Sequence, residues 1–143
     1  MKKIVFSLMV LCFLTTAVFA QKNTDAAKAV TEKLTTVYSL TDTQVAEMQV
    51  IQERKYRNLS EIESLKDSDR EKYILKLRAI QTGNDASIKK MLTEEQRAIF
   101  DQRRVANREM MAVQYKQMQS ENLSKDAMDD RIIALEMEKL DNH

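Results

Sequence analysis

From residue 21 onward, apolar positions recur every three or four residues between charged and amide side chains, the period of helices with one buried face. The first 20 residues follow another pattern. Lys2 and Lys3 precede an apolar run, Ile4–Leu14, broken only by Ser7, and Val18-Phe19-Ala20 closes the segment with small residues at the two positions a signal peptidase reads. These are the marks of a secretory signal peptide over residues 1–20, with Gln21 as the mature N-terminus. The apolar run is well short of the ~20 residues that span a bilayer. No membrane insertion is therefore expected after cleavage. Leu11 is too large a neighbour for Cys12 to serve as a lipid anchor.

In the remainder, Ala26, Val30, Leu34 and Val37 predict a first helix ending near Tyr38. Leu40-Thr41-Asp42-Thr43-Gln44 then predicts a capping box. The Thr41 hydroxyl takes a backbone N–H of the new helix, Gln44 reaches back to the cap, and Leu40 staples onto Val45. The helix it opens runs to about Leu65, with Val45, Met48, Ile51, Tyr56, Leu59 and Ile62 on its apolar face. Ser68 and Glu71 predict another capping box, opening a helix over Asp69–Thr82 with Tyr73, Leu77 and Ile80 inward. Gly83 is expected in a left-handed helix terminus, and Asn84 or Asp85 as the cap of a short helix through Met91. Leu92-Thr93-Glu94-Glu95-Gln96 repeats the first capping signal and opens a helix to about Ser120, and Lys125–Leu140 forms the last.

Composition narrows the fold class to all-α. One glycine and no proline leave almost no chemistry for hairpins or Gly-rich phosphate loops. No second domain is visible, so residues 21–143 read as a single helical domain. At 1.5 Å per residue the helix from Glu94 would span ~40 Å, against ~35 Å for the diameter of a compact globule of this size. The expectation is an elongated arrangement of antiparallel helical hairpins, with long amphipathic helices facing each other or a second subunit.

Cleavage removes Lys2, Lys3 and Cys12, leaving 21 basic against 22 acidic residues and no thiol. A near-neutral chain gives no electrostatic argument for nucleic acid. The single histidine, His143, is terminal. Without a thiol, and with no second histidine, neither a metal site, a cofactor nor a nucleophile–base pair is indicated. The expectation is a protein that is not an enzyme.

Two copies of Leu-Thr-x-x-Gln, at Leu40, Thr41 and Gln44 and at Leu92, Thr93 and Gln96, in an exported, Cys-free helical chain resemble the Spy/CpxP family. The resemblance covers roughly Val30–Arg104. It implies an all-helical periplasmic protein, often a thin curved homodimer, that holds unfolded or partly folded envelope proteins on a concave face without ATP. Other members are stress regulators that bind the sensor domain of a histidine kinase, and some bind zinc. In this chain the motif leucines are 52 residues apart, neither threonine is followed by proline, and the mature charge is −1. In a cell with one membrane the protein would be secreted rather than periplasmic.

The motif residues read as helix caps, worth about 0.5–2 kcal/mol each. A binding surface is sought on the helix that follows the second motif. There Ile99, Ala106, Met110 and Val113 form one stripe, expected to face the core. Phe100, Met111, Tyr115 and Met118 form a second, with Arg97, Arg104 and Arg108 on or beside it. Adaptable methionine beside arginine and aromatics suits varied partners, and the same stripe suits packing on another helix or a dimer mate. Three functions follow: an ATP-independent chaperone using that stripe, an adaptor binding one sensor-kinase domain, or a structural helical subunit without clients.

Overall fold

The structure is a computed structural model and describes residues 21–141; the expected signal peptide lies outside the described residues. The described chain is helical throughout, without strands. Helix α1 covers 21–38, α2 Asp42–Ile62, α3 Leu65–Ser68, α4 Arg70–Met91, α5 Glu94–Ser120 and α6 Lys125–Asp141.

Both Leu-Thr-x-x-Gln segments form the reciprocal caps their spacing requires, opening α2 and the 27-residue α5. Elsewhere the terminators differ from expectation. Helix α2 stops at Ile62, and the single turn of α3 intervenes before Asp69, not Ser68, caps α4 by accepting from the Lys72 amide at 3.0 Å. Gly83 ends nothing. It lies inside α4, which continues unbroken to Met91, and a Cβ there would meet nothing within 4 Å. The left-handed turns fall on Ser39 and Asn122, with φ of 52° and 47°. At the first, the Leu40 amide reaches back to the Thr35 carbonyl at 3.1 Å and closes α1.

Helices α1, α2 and α4 pack through seams whose buried residues are spaced alternately by three and four: Leu34 and Tyr38 on α1, Met48, Gln52, Lys55, Leu59 and Ile62 on α2, and Ile74, Leu77, Gln81, Asn84 and Ile88 on α4. This is coiled-coil spacing. Arg54 meets Ser87 at 2.6 Å and Tyr73 meets Glu63 at 3.4 Å, so α2 and α4 run antiparallel. Asn23 and Ser60, at 2.8 Å, set α1 antiparallel to α2.

Apolar residues gather at the two ends of these seams. Leu34, Tyr38, Met48, Ile88, Leu92 and Phe100 form one core cluster, and Leu59, Ile62, Tyr73, Ile74, Leu77, Ile133 and Leu140 another. Between them the seam is polar, with Thr31, Gln52, Lys55, Gln81 and Asn84 all buried. The register of the flanking pairs sets Gln52 level with Asn84 and Lys55 level with Gln81. A polar layer of this kind resists sliding, because a shift of one turn would bury these groups against hydrocarbon.

Helix α6 returns alongside α4 in parallel. Lys125 reaches Glu71 at 2.6 Å, Arg70 reaches Asp126 and Asp130 at 3.4 and 3.3 Å, and Arg78 reaches Glu136 at 2.7 Å. Its other edge meets α5, where Leu135 joins Met111 and Met118 in a third cluster with Tyr115, Met128 and Ile132 packed against it.

Candidate functional site

The two motifs meet. Each glutamine amide oxygen accepts the N–H of its own capping threonine, Thr41 to Gln44 at 3.1 Å and Thr93 to Gln96 at 2.9 Å. The amides also bond reciprocally, Gln44 Nε2 donating to Gln96 Oε1 at 2.8 Å and Gln96 Nε2 to Gln44 Oε1 at 3.1 Å. Their remaining donors go to helix ends, Gln44 to the Met91 carbonyl at 3.1 Å and Gln96 to the Tyr38 carbonyl at 3.0 Å. Four helix termini are thereby joined by one pair of side chains. Leu92 is buried beneath this junction and Leu40 packs against the same cluster. All six motif residues thus have structural partners or roles, and the junction is a clamp rather than an opening.

Gln44→Ala and Gln96→Ala are each expected to cost about 1–2 kcal/mol. Because each removes the other's partner, the double variant should cost less than the two singles together by at least ~0.5 kcal/mol. Urea unfolding of the four chains measures this, and strict additivity would show that the amide pair contributes nothing as a pair.

On α5 the expected faces are exchanged. Phe100, Met111 and Met118 are buried, with relative exposures of 0%, 7% and 3%, and Tyr115 is half-buried. The stripe expected to face the core points outward instead: Ile99 is 41% and Val113 67% exposed, Ala106 is exposed and Met110 is partly covered. The wider second stripe prevails because it carries the larger residues and meets α4 at one end and α6 at the other. Burying Phe100, Met111, Tyr115 and Met118 removes more apolar area than burying Ile99, Ala106, Met110 and Val113.

The three arginines separate in role. Arg97 donates to the Lys89 carbonyl at 2.9 Å and the Lys90 carbonyl at 3.5 Å, satisfying the C-terminal end of α4. Arg104 lies 3.7 Å from Asp85 and 5.9 Å from the Phe100 ring centroid. Arg108 is exposed. Arg104 and Arg108, with Asp85, Tyr115, Glu136 and Lys139, line a cleft of about 370 Å³ between α4, α5 and α6.

Cation and anion are balanced in this cleft. Tyr115 accepts from Arg78 at 3.1 Å and donates to Glu136 Oε1 at 2.9 Å, the oxygen that Arg78 Nε also holds. Burial pushes the Tyr115 hydroxyl up, and the bond to Glu136 holds the Arg78 guanidinium above its ordinary value. Burial likewise raises the Asp85 carboxyl, with Arg104 and Lys139 opposing. Glu136 Oε2 is buried without a hydrogen-bond partner and lies 3.9 Å from Lys139 Nζ.

Sequence reasoning missed Lys55, Gln52, Gln81, Asn84 and Glu136, each 5% exposed or less. Their spacing of three and four was the available signal, masked by their polarity. Among the described residues no group of three or more His, Cys, Asp or Glu could hold a metal ion, and no helix is long and apolar enough to cross a membrane.

No family model, no curated protein and no solved structure matches this chain, so the fold and the site rest on the geometry described above.

Proposed function

We propose that this chain is an exported, ATP-independent chaperone of Spy/CpxP type, binding unfolded or partly folded envelope proteins and working as a homodimer in the periplasm. The observation that supports this reading best is the outward stripe of α5. Ile99, Met110 and Val113 run along one face of a 27-residue helix, turned away from the face that carries Arg104 and Arg108. Apolar side chains left in solvent along a long helix suit weak, sequence-tolerant contacts. The paired Leu-Thr-x-x-Gln clamp accords with the family resemblance and holds that helix at a set angle to α1, α2 and α4. Met111 and Met118 are inaccessible while α6 is docked and Phe100 is buried against α1, α2 and α4, so first contact with a client falls to the outward stripe.

The test is light scattering of two unrelated, chemically unfolded clients diluted without ATP into near-equimolar mature protein. Suppressed aggregation of both is expected. Ile99→Ser with Val113→Ser should weaken the suppression while changing stability by only about 0.5 kcal/mol, since both residues are solvent-exposed. No suppression of either client would overturn the reading. Binding of a single sensor-kinase domain would then be the function to pursue.

A further inference from the structure

Helix α6 has the attributes of a ligand held in a groove. Its 17 residues carry six acidic and three basic side chains. The receiving surface supplies cations from three other helices. Arg70 of α4 faces Asp126 and Asp130, and Arg78 of α4 holds Glu136. Lys55 of α2 donates to the Leu140 carbonyl at 3.1 Å and lies 3.6 Å from Asp141, and Lys33 of α1 donates to the Asp141 carbonyl at 3.2 Å. Between the charges, Ile133 and Leu140 enter the α2–α4 core cluster and Leu135 the Met111–Met118 cluster.

The arrangement is that of an amphipathic helix seated in an apolar groove rimmed by opposite charge. Three features make the seat releasable. The connection is a short turn about Asn122. Asp126 and Asp130 are 81% and 60% exposed in their pairs with Arg70, a setting in which ion pairs hold weakly. Glu136, finally, buries one carboxylate oxygen without a hydrogen bond, so α6 fills its own groove imperfectly.

We propose that α6 is an intramolecular stand-in for a partner, and that the groove beneath it captures acidic amphipathic helices of other proteins when α6 swings away. The occupant is defined by what α6 presents. It carries apolar residues at intervals of two to five along a helix of about four to five turns, and carboxylates placed to meet Arg70, Arg78 and Lys55. This deepens the chaperone reading and rests on it in treating the α5 face as a binding surface, because opening α6 uncovers Met111, Tyr115 and Met118 from that side. As a tethered competitor α6 keeps the groove closed to weak ligands, since its effective concentration is in the millimolar range. A ligand helix prevails only when it binds the open state better than α6 does.

The experiment uses the mature chain and a fluorescein-labelled peptide with the sequence of residues 125–141. In the variant Asp126→Asn, Asp130→Asn, Glu136→Gln the cover is weakened and the groove is untouched. The peptide is expected to bind this variant at least tenfold more tightly than the parent. Adding Arg70→Ala and Arg78→Ala should abolish the gain, and a peptide with lysine at those three acidic positions should not bind. Equal affinity for parent and folded variant overturns the proposal. Should the variant fail to fold, hydrogen exchange on the parent decides. Amides of α6 exchanging at least tenfold faster than those in the cores of α2 and α4 support release, and equal rates overturn it. Peptide capture by a chain that holds no unfolded client keeps this proposal and removes the chaperone reading. Aggregation suppression without α6 opening does the reverse.

Discussion

The variant Met111→Ser, Tyr115→Ser, Met118→Ser is expected to lose more than ~4 kcal/mol of unfolding free energy, since truncating one buried methionine alone costs ~2–5 kcal/mol. The physical cause is specific to the α5–α6 contact. Met111 and Met118 contribute most of the α5 side of the cluster that holds Leu135. The Tyr115 hydroxyl bridges Arg78 and Glu136, and its loss leaves a buried carboxylate with one contact fewer. A domain of ordinary stability, ~5–15 kcal/mol, has little room for such a loss. Thermal and urea unfolding should show either a large drop in midpoint or a separate early transition for α6. A variant as stable as the parent would show that α6 does not lean on these residues. A loss of client binding in this variant would therefore report a damaged scaffold, whereas Ile99, Arg108 and Val113 probe the surface without disturbing packing.

Stability should also rise with pH between about 8 and the ordinary lysine range, and the rise should vanish in Lys55→Met. Burial pushes the Lys55 ammonium down to about 8, with Asp141 only partly opposing it. In that window the unfolded chain holds a proton that the folded chain has released. Unfolding free energy accordingly increases with pH, by roughly 2 kcal/mol from this group by about pH 9.5. Below pH 8 both states are protonated, and the folded state carries the full cost of a buried charge. Lys55→Met should therefore be neutral or stabilising at pH 7, although the Leu140 carbonyl loses its donor. The tyrosines act in the opposite sense. Burial raises Tyr38, Tyr56, Tyr73 and Tyr115 above the usual phenol value, so their contribution declines only above about pH 10. Urea unfolding of parent and variant at pH 7 and about 9.5 isolates the lysine; parallel changes in the two chains would show that Lys55 does not carry the effect.

Lys55 also shows why part of the fold was illegible. The helical reading of α2 followed apolar residues and so chose Val45, Ile51 and Tyr56, which are half-buried. The actual seam steps from Met48 through Gln52 and Lys55 to Leu59. In α4 the same polar layer, Gln81 and Asn84 around Gly83, reads as an interruption although the helix passes straight through it. A buried amide or ammonium is indistinguishable from an exposed one until the groups it faces are known, because its burial depends on partners from other helices.

What the chain determined alone is local. The bounds of α5, the span of α6 to within a residue and both capping boxes follow from short-range chemistry. A threonine hydroxyl, a glutamine three positions later and an apolar period act within one or two turns. Only the tertiary structure decided which face of α5 is buried, that Gln44 and Gln96 bond to each other, and that α6 covers the methionine stripe with its carboxylates on Arg70 and Arg78. Each of these joins residues of different helices, with α5 choosing between two apolar stripes of nearly equal period. Such choices turn on total area buried and on charge pairing across helices, quantities defined only once the helices have been brought together.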